Sequence, residues 1–238
     1  KELPYSQRTD IHVTQADTKH YVELESWWTD DVKRRFMEEK RSWARVTNND
    51  QYMNDREAFE AELLEETGPA GPGWVIELHC YHYYNDPDNR GAIESDHVRK
   101  FMTTSFMNTT VDLPTGQVDE NGKEVFETFT LKELGIDYPL LLDDNRAKPE
   151  QIPNPDYDPT APPPESIALG EAFDPANPPE GFEPPMLEVK KLDFIFQVVW
   201  QETSMSDRLA AKEEARLAAE EAAAAEQEAA AQAAAMDE

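Results

Sequence analysis

Three residues able to do chemistry sit close together: His79, Cys80 and His82, drawn from only five histidines and one cysteine in the chain. His97 follows beyond a loop. Imidazole and thiolate groups are transition-metal ligands, and a thiolate beside an imidazole is a nucleophile. Cys80, His82 and His97 are therefore the candidates for a zinc-type metal site or a thiol-dependent enzyme. Strand geometry divides the group. Successive side chains on a strand point to opposite faces, so Cys80 and His82 share one face, while His79 joins Tyr81 and Tyr83 on the other. One cysteine without a second pair does not make a zinc signature. Cys80 reads instead as a small buried apolar residue.

Other catalytic signatures are missing. The chain has no Gly-rich phosphate cradle, no Gly-x-Ser-x-Gly elbow and no His-Glu-x-x-His pair. With fifty Asp and Glu residues, no carboxylate pair is diagnostic. Asp17, Asp30 and Asp31 read as turn and cap residues. Asp86 and Asp88 have the spacing of a calcium loop, but Pro87 and Arg90 intrude and position 97 is His, so 86–91 reads as a plain loop. The expectation is a non-enzymatic chain with no catalytic, cofactor-binding or metal residues. Trp28, His79, Tyr81 and Tyr83 are the candidates for contact with a partner, because exposed aromatics are favoured interface anchors.

The elements that must hold these residues follow from pattern. Trp74 to Tyr84 is the densest run of β-branched and aromatic residues, bounded by Gly73 and Asn85-Asp86-Pro87, and predicts a central strand. Leu187 to Thr203 predicts a second long strand, with Leu192, Phe194, Phe196 and Val198 on one face and Ile195 and Val199 on the other. Ile11–Val13 predicts a short strand, followed by a turn at 14–17. Thr29 is the expected N-cap of a helix with apolar residues at 32, 36, 37 and 43. Residues 55–66 predict a second helix. Ser95 is placed as the cap of a third, running through Val98, Phe101, Met102 and Phe106. Residues 109–113 and 124–131 flank Asn121-Gly122 and predict a hairpin. Residues 134–142 are expected to cover a sheet edge.

Composition sets the boundaries. Residues 145–185 carry twelve of the eighteen prolines and are expected to form an extended insertion. Residues 206–238 are Ala/Glu-rich and read as an exposed helix or fraying tail. Residues 1–205 then form a single α+β domain. Its expected architecture is a ferredoxin-like sandwich, with a four- to five-stranded mainly antiparallel sheet and two helices on one face. The formal net charge of −28 opposes nucleic-acid binding and peripheral attachment to anionic lipid. There is no Met at position 1, no leader and no apolar run near 18 residues. The expectation is a piece of a longer protein, with any membrane anchor upstream of Lys1.

Three blocks carry a resemblance. They are Ile11-His-Val-Thr through Trp27-Trp28 to Val32-Lys33, then Gly73-Trp-Val-Ile-Glu-Leu-His-Cys-Tyr-His-Tyr-Tyr-Asn85, and last Phe194-Ile-Phe-Gln-Val-Val-Trp-Gln-Glu-Thr203. Together they resemble periplasmic domains of inner-membrane assembly proteins of type IV pili and type II secretion systems, the PilM/PilN/PilO group. The resemblance implies a ferredoxin-like domain on the periplasmic side of the bacterial inner membrane. It implies homo- or hetero-dimers with similar platform domains and carries over no catalytic residue. The Pro-rich segment and the Ala/Glu tail depart from that pattern. A free-standing acidic adaptor, with the Pro-rich segment as a peptide ligand, is the remaining alternative.

Overall fold

The computed structural model describes residues 4–86, 88, 93–144, 146–158, 160 and 183–236. Strand β1 (Ile11–Tyr21) leads through a 3-10 turn at Leu24–Ser26 into helices α1 (Asp30–Thr47), α2 (Asp50–Asn54) and α3 (Arg56–Glu65). Strand β2 (Gly73–His82) follows. A second helical segment runs from α4 (Ser95–Val98) through a π-helical turn (Arg99–Thr103) into α5 (Thr104–Asn108). Then come β3 (Thr110–Val118), β4 (Glu124–Thr130), β5 (Ile136–Asp144), β6 (Lys148–Pro153), β7 (Met186–Trp200) and a long helix α6 (Met205–Met236).

The class is α+β with an antiparallel main sheet. Its order is β1-β2-β7-β5, and β6 pairs with the first part of β7. Strands β3 and β4 form a separate hairpin. The alternation in β2 and β7 explains the layering. Cys80 pairs with Phe194, Leu78 with Phe196 and Ile76 with Val198, so these side chains share one face. That face packs against Val98, Met102 and Phe106 of the second helical segment. Burying each of the larger side chains contributes about 2 kcal/mol.

A second cluster joins Leu24, Trp27, Phe36, Phe59, Leu63, Val75, Leu140 and Val199. Helix α1 starts where expected: Thr29 Oγ1 accepts from Val32 N at 3.4 Å, with Asp30 and Asp31 in the first turn. Its Arg41 clamps Glu60 of α3 with three hydrogen bonds of 2.8–3.0 Å. Its Glu39 holds Arg99, and its Trp43 Nε1 donates to Thr104 Oγ1 at 3.0 Å, so α1 is fastened to the second helical segment. Lys212 of α6 pairs with Glu127 at 2.6 Å and lies over the Phe129 ring, which docks the start of that helix on the hairpin.

Four local expectations are corrected. Strand β1 runs on through residues 14–17, because Thr14 is the extra residue of a β-bulge and not the start of a turn. Ser95 is the first helical residue and not the cap; its Oγ accepts from Arg99 Nη1 at 2.9 Å. Residues 136–144 are a strand of the sheet rather than a cover over its edge. Part of the expected Pro-rich insertion, Lys148–Pro153, is strand β6. Proline is tolerated there because β6 lies at the edge and pairs only with β7. Most of the rest of that segment lies outside the described residues. Among the described residues, no helix is long and apolar enough to cross a membrane.

Candidate functional site

The candidates separate onto the two faces of β2, as alternation requires. On the packed face, Cys80 is buried and its thiol is pushed up to about 11 by loss of solvent. A thiol in that state is a poor nucleophile and a poor ligand at neutral pH. His82 and His97 do meet: both are fully buried and their ring centroids lie 4.8 Å apart. Each turns Nε2 to a backbone carbonyl, His82 to Glu94 O at 3.1 Å and His97 to Thr9 O at 3.3 Å. These contacts define neutral Nε2–H tautomers. Neither Nδ1 has a hydrogen-bond partner among the described residues. Burial, followed by the neighbouring His97, lowers His82 to about 4, and burial also lowers His97. Tyr84 stacks on His97 at 4.3 Å, and Phe101 lies 4.6 Å away. This pair is part of the core. Cys80, His82 and His97 do not form a cluster of converging ligand atoms among the described residues.

Trp28 is also drawn inward. Its ring lies 5.2 Å from both Phe36 and Tyr138. Gly68, at φ +78°, is so close that a Cβ there would sit 2.3 Å from the indole. Trp28 is half-buried, with its ring held against Phe36, Tyr138 and Gly68.

The other face of β2 is more open. The register places Glu77, His79 and Tyr81 beside Asp17, Gln15 and His12 of β1 and Gln197, Ile195 and Asp193 of β7. His79 Nε2 lies 3.0 Å from Glu77 Oε1 and 3.4 Å from Asp17 Oδ2. Gln197 donates to Glu77 Oε2 at 2.6 Å, and Gln15 donates to Asp17 Oδ2 at 2.7 Å. Asp17, Glu77 and His79 are the described residues whose ligand atoms converge enough to hold a cation. Towards the N-terminal segment the face becomes aromatic. His12 stacks on Tyr81 at 4.7 Å, Tyr81 meets Tyr83 edge-on at 5.3 Å, and Tyr83 meets Tyr5 at 5.5 Å. Lys191 lies over Tyr81. This ladder lines a groove of about 360 Å³ together with Arg8, Asp10, Ile152 and Pro153.

The free side of β1 borders this face. Nine of its eleven residues, from His12 to His20, are exposed, and among the described residues only β2 pairs with it. Its long reach was missed in the sequence because Thr14 breaks the alternation. No family model, no curated protein and no solved structure matches this chain.

Proposed function

We propose that this chain is a non-catalytic assembly domain that binds another folded domain along the free edge of β1 and the aromatic face beside it. The observation that carries this reading is β1 itself: eleven residues, paired on one side, exposed along nearly its whole length. Such an edge offers a row of backbone donors and acceptors to an incoming strand. His79, Tyr81 and Tyr83 stand next to it and supply side-chain recognition. The face split of β2 adds weight, because it sends Cys80 and His82 into the core and leaves the aromatic residues outside.

The finer form of the proposal comes from the resemblance. The chain then serves as a platform domain of a type IV pilus or type II secretion system, on the periplasmic side of the inner membrane, paired with a second copy or a similar domain. A ferredoxin-like sandwich places another strand between the first two strands of its repeat. Here β1 and β2 are direct neighbours, so this reading rests on the helix-packed antiparallel sheet and its free edge rather than on that strand order.

The test is light scattering of the purified chain at high concentration, alone and mixed with candidate platform domains encoded nearby. Dimers or a stable mixed complex are expected, lost when Val13→Lys and Thr18→Lys place charge on the exposed edge. A strict monomer that binds no such domain overturns the proposal.

A further inference from the structure

We propose that Asp17, Glu77 and His79 form a binding site for a divalent transition-metal ion of the zinc type, on the open face of the sheet. The site shares His79 and strand β1 with the assembly face, but it does not rest on that reading, and zinc binding is read separately from self-association.

The geometry comes first. Ligand atoms held about 2.1 Å from one metal ion lie about 3.0 Å apart at an octahedral edge and about 3.4 Å apart at a tetrahedral edge. His79 Nε2 lies 3.0 Å from the Glu77 oxygen and 3.4 Å from the Asp17 oxygen. All three ligand atoms fall within 4.8 Å of one another. The two imidazole–carboxylate separations thus fall within the span of ligand atoms around one such ion.

The bulge is what makes the set. Val13 pairs with Cys80, and uninterrupted counting would put Ala16 opposite Glu77. Thr14 adds one residue, so Gln15 comes opposite His79 and Asp17 opposite Glu77. Bulges re-aim side chains in this way. Thr14 Oγ1 ties the bulge to His79 O at 3.0 Å.

Gln197 holds Glu77 Oε2 and leaves Oε1 turned to His79, while Gln15 donates to Asp17 Oδ2, the oxygen that faces His79. Outer hydrogen bonds of this kind orient ligating carboxylates. Two carboxylates and a neutral imidazole carry a charge of about −2, which one divalent ion neutralises. The nitrogen donor selects zinc-like ions over calcium and magnesium, which take oxygen ligands. A depression of about 210 Å³ opens beside Asp17 and Glu77, with Lys19, Gln197, Trp27 and Val75 also lining it. The −28 charge of the chain raises the local concentration of any divalent cation.

Isothermal titration of the chelator-treated full chain with zinc, and cobalt(II) absorption as a second readout, test the site. Millimolar magnesium is kept in the buffer to occupy diffuse acidic surface. One zinc per chain is expected. His79→Gln and Glu77→Gln should each weaken binding by on the order of 100-fold, and Gln197→Ala by about 10-fold. His20→Gln, at an exposed histidine outside the cluster, should change nothing. Absence of saturable zinc binding overturns the proposal. So does zinc binding that survives His79→Gln or that is lost equally in His20→Gln. Circular dichroism of each variant confirms that the sheet is intact before titration.

Discussion

His82 and His97 lie ring to ring at 4.8 Å in the core, each with Nε2 turned to a backbone carbonyl. Both are held neutral, because burial penalises the imidazolium and a second charge would repel the first. The unfolded chain has no such penalty, so its histidines titrate near their ordinary value of about 6.5. Below that pH the unfolded state binds protons that the folded state refuses, and stability falls. For His82, lowered to about 4, the loss is about 2 kcal/mol by pH 5 and about 3 kcal/mol by pH 4. Above about pH 7 the contribution is complete. Urea unfolding at pH 7 and pH 5 measures it. In His97→Phe, whose ring fits between Tyr84 and Phe101, the difference between the two pH values should shrink; an unchanged difference would assign the acid sensitivity to other groups.

Arg99 is almost fully buried and makes a two-point contact with Glu39, at 2.7 Å and 2.9 Å. Its other nitrogen reaches Ser95 Oγ and Asp96 Oδ1. This contact fastens α1 to the second helical segment. Glu39→Ala should cost about 3 kcal/mol, since it removes a two-point ion pair from a buried guanidinium. Replacing both members with apolar residues, Glu39→Leu and Arg99→Met, should recover much of that loss. A double-mutant cycle read by urea unfolding checks the pattern, which fails if the paired replacement is as damaging as the sum of the single ones.

The two long strands and the first helix could be read in the sequence because their signals are local. Trp74–Tyr84 and Leu192–Val199 alternate cleanly, and that alternation alone separates Cys80 and His82 from His79 and Tyr81. Thr29 before Asp30-Asp31 marks a helix start by residue type. What could not be read depends on register or on irregular backbone. The polar stretch 14–17 has the composition of a turn, and only pairing with β2 shows that it is a bulged strand. Asp17 and Glu77 are sixty residues apart in the chain, so nothing in either neighbourhood announces that they meet. Strand β5 carries two register shifts, a proline at 139 and Tyr138 at φ +58°, which together erase a period-2 pattern. Strand β6 is hidden by its own prolines. Trp28 reads from its position as core or rim, and its half-buried setting depends on Gly68 and Tyr138, distant in the chain.

Gly135 joins the start of β5 to the end of β7. Its φ is +79°, and Gln201 N donates to its carbonyl at 2.8 Å. A Cβ at this position would lie 2.1 Å from Gln201 O, a backbone atom that cannot turn aside. Gly135→Ala should therefore cost well over the ~1 kcal/mol of a left-handed backbone alone. Gly122→Ala is the comparison: φ is +74°, yet no atom lies within 4 Å of the added methyl. It should lose only about 1 kcal/mol. Thermal or urea unfolding of the two variants side by side separates conformational cost from collision; equal losses would show that the loop at Gly135 can relax.

The free edge of β1 sets up a salt dependence with a definite sign. Ile11–Tyr21 carries one Asp and one Lys among its charged side chains, so the strip itself is formally neutral apart from histidine. The whole chain carries −28. Two copies approaching edge to edge meet little local repulsion but a strong long-range one. Salt shortens the reach of that field to about 8 Å at physiological ionic strength and about 3 Å at 1 M. Self-association through β1 should therefore strengthen as salt rises, the opposite of an interface built on ion pairs. Sedimentation velocity from low salt to about 0.5 M, a range over which the screening length falls severalfold, measures it. In Val13→Lys/Thr18→Lys the salt response should vanish, because lysines on an edge strand oppose pairing by another strand. Association that weakens with salt would place the contact on charged side chains elsewhere, and a salt response retained in the lysine variant would remove β1 from the interface.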